Sequence, residues 1–203
     1  MKLRFFWVLL FSFLITNVAL ANDPAPLSML KQTSAQMLSA LKQNRAQLQN
    51  NPNLIHRIVV QILLPHVDLD SMSRAVVGRS YWSQATPAQQ SQFKKVFTDT
   101  VIRTYSTAIS SYQEEQIKFY PVRGFNIGQT QAQVRSEILR KNGQVIPVSY
   151  RLVQKNGQWF VTDFSVEGVS LIQSYQSQFA GVLSQNGFSG LLTRLKQHNL
   201  SHP

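Results

Sequence analysis

The chain has 203 residues, and its 20 lysines and arginines outnumber 9 acids to give a formal charge of +11. It contains no cysteine, which excludes thiolate metal sites and disulfide or thiol redox chemistry. After the first few residues the basic side chains are scattered, and only Lys94-Lys95 and Arg140-Lys141 are adjacent. A nucleic-acid-binding arm is therefore not expected. Anionic lipid headgroups, acidic protein partners or a plain solubilising charge remain.

Residues 1–21 read as a secretory signal. Met1-Lys2-Leu3-Arg4 supplies a positive start, Phe5–Ile15 an apolar run, and Ala19-Leu20-Ala21 a small-x-small cleavage site. The apolar run falls short of the ~20 residues a membrane span needs. Cleavage after Ala21 is expected to leave a mature chain that starts at Asn22, lies outside the cytoplasm and has a formal charge of +9. Residues 22–197 are then read as one domain and 198–203 as a flexible tail.

The first half of the mature chain has helical period. Leu27–Leu48 carries Leu30, Met37, Leu38, Leu41 and Leu48 on an otherwise polar background. Asn51-Pro52 looks like an N-cap followed by proline at the first helical position. The helix it opens runs through Ile55, Ile58, Val59 and Ile62 to Pro65. Asp68 can cap a short helix ended by Gly78. Thr86-Pro87-Ala88-Gln89 is a capping box, opening a long helix with Phe93, Val96, Phe97, Val101, Tyr105, Ala108, Ile109 and Tyr112. Such a stripe fits a core helix or the wall of a cavity.

From Ile117 the period becomes alternating. Strands are expected at Ile117–Arg123, Ala132–Arg140, Gln144–Val153 and Gln158–Glu167. The last three are joined by two copies of one tripeptide, Lys141-Asn142-Gly143 and Lys155-Asn156-Gly157. Asn-Gly admits a two-residue or a three-residue hairpin loop. Three-residue loops at both turns set Ile138 opposite Ile146, Val134 opposite Tyr150, Leu152 opposite Phe160 and Val148 opposite Phe164. That choice gives one apolar face across three strands, with Arg135, Glu137, Arg151 and Asp163 on the other face and Trp159 and Val153 as its apolar exceptions. After Glu167-Gly168 the spacing returns to helical, with helices at Val169–Leu183 and Ser189–Lys196 around Gly187. Helices, a twisted antiparallel meander of about four strands and closing helices make a single α+β domain.

Catalytic signatures are weak. His56, His66, His198 and His202 show no metal-ligand spacing. No Gly-x-Ser-x-Gly elbow or phosphate-cradling glycine loop occurs. Asp163 and Glu167 are the acids nearest the last strand, but four extended residues hold them about 13 Å apart, too far to share a proton. Ion pairing to Arg151 for Asp163, and a hydrogen-bonding role at the turn for Glu167, are the simpler readings. No catalytic residue, metal or cofactor is assigned.

Two runs carry a likeness. Gly78-x-x-Tyr81-Trp82-x-x-Ala85-Thr86-Pro87-x-x-x-x-x-Phe93, followed by Trp159-x-x-x-Asp163-x-x-x-Glu167-Gly168-Val169-Ser170, resembles the MlaC (toluene-tolerance) family. The likeness extends over nearly the whole mature chain. Gln176 departs from it, since relatives often have arginine after the tyrosine. The resemblance implies an apolar pocket between helices and sheet that holds phospholipid acyl chains as cargo, without catalysis. It implies a periplasmic shuttle that maintains outer-membrane lipid asymmetry, acting as a monomer between two partners. These are an inner-membrane ABC complex with an MCE-domain subunit and an outer-membrane lipoprotein–porin complex.

On the face assignment above, the tails are expected to touch Phe97, Val101, Tyr105 and Ile109 on the long helix. On the sheet they meet Val134, Ile138, Val148, Tyr150, Leu152, Phe160 and Phe164, and Ile172, Tyr175 and Phe179 close the pocket. Arg79, Lys94, Lys95 and Arg103 stand as headgroup or docking cations, or as solvated surface. Two other readings are an exported small-molecule enzyme with Asp163 as general base, which needs Asp163 to point inward, and a lipid-free adaptor with a filled core.

Overall fold

The computed structural model describes residues 23–48, 51–111, 113–126 and 128–201, so the signal segment and Tyr112 lie outside the described residues. The helical half is α1 (Ala25–Gln43), α2 (Arg45–Leu48), α3 (Pro52–Ile62), α4 (Leu69–Val77), α5 (Arg79–Gln84) and α6 (Pro87–Ser110), with a 3-10 turn at Leu64–His66. The caps lie where the sequence puts them. Asn51 Oδ1 accepts from Leu54 N at 3.2 Å, and Asp68 Oδ1 accepts from Ser71 N at 3.1 Å. Thr86 and Gln89 exchange reciprocal bonds of 3.2 and 2.9 Å. Pro65 ends α3 because proline has no amide hydrogen to continue the helix. Gly78, at φ 83°, ends α4 in a conformation that side chains disfavour.

Asp68 also joins α4 to the sheet. Its amide donates to Val161 O at 2.9 Å, and its carboxylate pairs with Lys155. Burial raises the Asp68 pKa, but the bonds from Lys155 and Ser71 together outweigh burial, and the net shift is below the usual 3.8. The folded value lies below the unfolded one, so this stabilisation is complete above pH 3.8 and is lost as pH falls through the folded value. Asp68→Asn is expected to remove part of the acid-side decline in unfolding free energy. Urea titrations at pH values below about 5 would read it, and a wild-type slope in the variant would contradict the assignment.

The sheet is an antiparallel meander in order β1 (Gln116–Phe119), β2 (Gln131–Leu139), β3 (Val145–Lys155), β4 (Gln158–Val166) and β5 (Val169–Ser170). The β2–β3 turn has the expected three-residue loop, with Ile138 opposite Ile146 and Val134 opposite Tyr150. The β3–β4 turn does not. Lys155 pairs with Gln158, leaving a two-residue Asn156-Gly157 loop, and the register shifts by one between Arg151 and Leu152. Asn156 and Gly157 both have positive φ, 50° and 78°, the turn whose twist matches the flanking strands.

The shift leaves Thr162 as the extra residue of a bulge on β4. Trp159 and Val161 therefore share the inner face with Leu152, and after the bulge so do Phe164 and Val166. Phe160 pairs with Val153 rather than Leu152, and Phe164 pairs with Tyr150 rather than Val148. Trp159, expected outside, is thus inside and 6% exposed. Phe160, expected inside, is outside.

After the Glu167-Gly168 turn, α7 runs from Leu171 to Ser201 with a kink at Gly187. Leu171 follows β5 directly, so Val169 and Ser170 are extended residues rather than the first turn of a helix. Residues 198–201 continue the helix instead of forming a tail. Asn199 Nδ2 donates to Val96 O at 3.0 Å, and Thr100 Oγ1 donates to Asn199 Oδ1 at 3.0 Å. Gly187 has φ 63° and ψ −169°, a region that is essentially glycine-only. Gly187→Ala is expected to cost about 1–3 kcal/mol in a denaturant titration, and an unchanged midpoint would show that the kink tolerates a side chain.

Candidate functional site: the apolar cleft between helices and sheet

The buried apolar residues form three separate groups rather than the single contiguous core usual for one domain. The helical core joins α4–α7 around Phe93 and Phe97, which are 0% and 1% exposed. The second core joins α1, α2, α3 and α6 around Leu48, Ile55 and Ile102. The sheet core packs the start of α1 on Val134, Leu152, Trp159 and Val161.

One stretch of the inner sheet face lies outside all three groups. Helix α1 lies against β1, β2 and β4, and α4 and α7 lie against β4, while α6 packs on α3, α4 and α7. From α6, Tyr105 reaches the sheet, its ring meeting Phe164 edge-on at 6.1 Å. Beyond Phe164, pairing aligns Ile117 with Ile138 and Ile138 with Ile146, and sets Val148 between Ser136 and Val166. Alternation along the strands puts all five aliphatic side chains on the inner face. Among the described residues none of them belongs to any of the three cores. An apolar strip thus faces the helical layer at the end of the sheet away from the α1 contact.

The residues expected to line a pocket divide accordingly. Phe97, Tyr175 and Phe179 are helical core, with Val101, Tyr105, Phe164 and Ile172 at its margin. Ile109 lies at the margin of the second core. Val134 and Leu152 are sheet core with Tyr150 at its edge. Ile138 and Val148 lie in the apolar strip outside the three cores. Phe160 is turned away, bordering a surface groove with Val67, Asp68, Lys94 and Lys155. The strip residues absent from that expectation are Ile117, Ile146 and Val166. Ile146 and Val166 were legible from the expected register, since Val166 alternates with Phe164, whereas Ile117 needed the β1–β2 pairing.

Polar groups around the cleft are paired with one another. Tyr175 Oη donates to Thr104 Oγ1 at 3.1 Å, and Ser136 Oγ donates to Tyr150 Oη at 3.4 Å. Burial raises the pKa of both phenols, so both stay neutral near pH 7. Of the proposed cations, Lys94 is paired with Asp70 at 2.7 Å. Gln176 Nε2 donates to Ala75 O at 2.7 Å, tying α7 to α4.

The two acids have structural partners. Asp163 is 3% exposed. Its Oδ2 accepts from Ser170 Oγ at 2.7 Å and its Oδ1 from Ile172 N at 3.3 Å, while Arg151 lies 3.9 Å away. Both carboxylate oxygens therefore hold the start of α7. Glu167 is exposed and its backbone does the work, with φ 51° at the turn and its amide donating to Pro147 O at 2.9 Å. Among the described residues no group of three or more histidines and acids is placed to hold a metal ion, and no helix is long and apolar enough to cross a membrane.

The fold has known counterparts. A solved structure described as the phospholipid-binding protein from Ralstonia solanacearum in complex with a phospholipid superposes with a TM-score of 0.82 at 28% identity. The match covers 88% of this chain and 98% of that one. The toluene tolerance protein ttg2D of Pseudomonas putida is 30% identical over 180 residues, 89% of this chain and 81% of the relative. The intermembrane phospholipid transport system binding protein MlaC of Haemophilus influenzae is 27% identical over 202 residues, 96% of this chain and 92% of the relative. The family model described as MlaC protein matches residues 31–197, and the chain belongs to the MlaC family.

Proposed function

We propose that this protein is a periplasmic phospholipid carrier that shelters acyl chains in the cleft between α6 and the inner sheet face. The apolar strip Ile117, Ile138, Ile146, Val148 and Val166 carries this reading, because it extends the apolar inner face beyond the three cores. The likeness to a structure holding a phospholipid supports it. Two acyl chains contain roughly 30 methylenes, and exposing each to water costs ~0.8 kcal/mol. Crossing an aqueous space unprotected therefore costs on the order of 20 kcal/mol. A cleft of hydrocarbon side chains removes most of that penalty and binds tails about as well as a bilayer does. That near-balance lets a shuttle both load and unload.

The carrier runs between an inner-membrane ABC complex with an MCE-domain subunit and an outer-membrane lipoprotein–porin complex, and its traffic maintains outer-membrane lipid asymmetry. No catalytic step is part of this reading, and the engagement of both Asp163 oxygens supports that. Native mass spectrometry of the mature protein purified without detergent, followed by lipid extraction, tests it. Stoichiometric phospholipid is expected. A lipid-free protein that also takes up none from vesicles would overturn the reading.

A further inference from the structure

Glu114 lies in the loop between α6 and β1 and has φ 68°. Unlike Asn156 and Glu167, the other non-glycine residues with positive φ among the described residues, it is not part of a hairpin turn. A glutamate in this region is uncommon, and such a conformation persists where its surroundings hold it. Here two cations from distant parts of the chain meet its side chain. Lys141 Nζ, at the tip of the β2–β3 hairpin, donates to Glu114 Oε2 at 2.7 Å. Arg45 Nη1, at the first residue of α2, lies 3.6 Å from Oε1. Lys42 adds its field from the end of α1, and together these cations lower the Glu114 pKa, the Lys141 hydrogen bond most of all.

The position of this cluster gives it a role. Lys141 is three residues beyond Ile138, and Glu114 three before Ile117, so the carboxylate stands beside the outer end of the apolar strip. Arg45 belongs to the corner that seats Leu41 and Leu48 in the second core. One side chain thus ties the second core to the tip of the sheet, across the end of the cleft where helices and sheet share no apolar core.

We propose that Glu114, with Arg45 and Lys141, is an ionic latch across the open end of the cleft that sets the rate at which phospholipid enters and leaves. The proposal rests on the carrier reading above. All three side chains are 43–56% exposed, so each contact is modest and screened by salt. That suits a closure that must open in every cycle. It also explains why two cations share one acid, since a network holds a geometry that an isolated exposed pair does not.

The test is transfer of a fluorescent phospholipid from the loaded protein to vesicles of phosphatidylethanolamine and phosphatidylglycerol, at ionic strengths from about 0.01 M to about 0.15 M. Wild-type transfer is expected to speed up with salt. Glu114→Gln should transfer roughly two- to tenfold faster at low salt and lose that salt dependence. Glu114→Lys should be faster still, and adding Lys141→Glu should restore slow, salt-sensitive transfer. The substitutions are at the surface, so an unchanged melting profile establishes that the fold is intact. A loaded Glu114→Gln protein that transfers at the wild-type rate would overturn the latch and leave the carrier reading standing. A wild-type protein that never loads would overturn both.

Discussion

Val148→Arg is expected to abolish phospholipid retention in a protein that still folds. Val148 is 6% exposed and pairs with Ser136 and Val166 in the part of the inner face that lies outside the three cores. On the carrier reading, an arginine there fills volume that acyl methylenes would occupy. Its long stem can carry the guanidinium toward the cleft opening, so the protein avoids burying the charge while the ligand loses its place. Bound lipid is expected to fall roughly tenfold or more, because ~1.4 kcal/mol already corresponds to tenfold.

Leu152→Arg is the informative contrast. Leu152 is 2% exposed in the sheet core beneath α1, where a charge has no way out and the fold itself should fail. Native mass spectrometry alongside a thermal melt separates the two outcomes. A folded Val148→Arg protein with full lipid content would refute the placement of the acyl chains. Ile146→Arg, at a half-buried position of the same strip, provides the same test if Val148→Arg does not fold.

Asp163→Ala should cost about 3 kcal/mol or more, since it removes a carboxylate that accepts two hydrogen bonds and hydrogen bonds to charged groups contribute about 1.5–3 kcal/mol each. The loss is not confined to one strand. Ser170 Oγ is set by Asp163 and in turn accepts from Gln173 N at 3.2 Å, so the truncation leaves donors at the start of α7 without partners. Asp163→Asn keeps one acceptor and should lose about half as much. The Arg151 contact, at 3.9 Å with Arg151 67% exposed, contributes little, and Arg151→Ala should be nearly neutral. Urea titrations of the three variants read these differences. An Asp163→Ala midpoint equal to that of wild type would remove the helix-holding role and reopen the general-base reading.

Much of this molecule follows from local chemistry in its sequence. The Asn51, Asp68 and Thr86 caps and the stops at Pro65 and Gly78 depend on hydrogen bonds and dihedral preferences within a few residues, and each is found as the spacing predicts. So does the change from helical to alternating period at β1. The two runs carrying the family resemblance, Gly78 to Phe93 and Trp159 to Ser170, read the same way in the fold: α5 with the capped start of α6, and β4 turning through β5 into α7.

Where identical local chemistry permits two outcomes, only the tertiary structure decides. Lys141-Asn142-Gly143 and Lys155-Asn156-Gly157 are the same tripeptide, yet the first makes a three-residue loop and the second a two-residue loop. The second is viable because a bulge at Thr162 absorbs the one-residue slip, placing Trp159 and Val161 against α1 while Phe164 still reaches Tyr105. That pairing of distant surfaces is invisible in strand alternation, and it alone turned Phe160 outward.

The same holds for the site. Periodicity shows that Phe97, Tyr175 and Phe179 are buried, but a stripe has the same period whether it meets protein or ligand. Only three-dimensional packing separates side chains that join a core, such as Val134 and Leu152, from those that lie outside all three, such as Ile138 and Val148. Hydrophobicity is a property of the residue, whereas what packs beside it is a property of the fold.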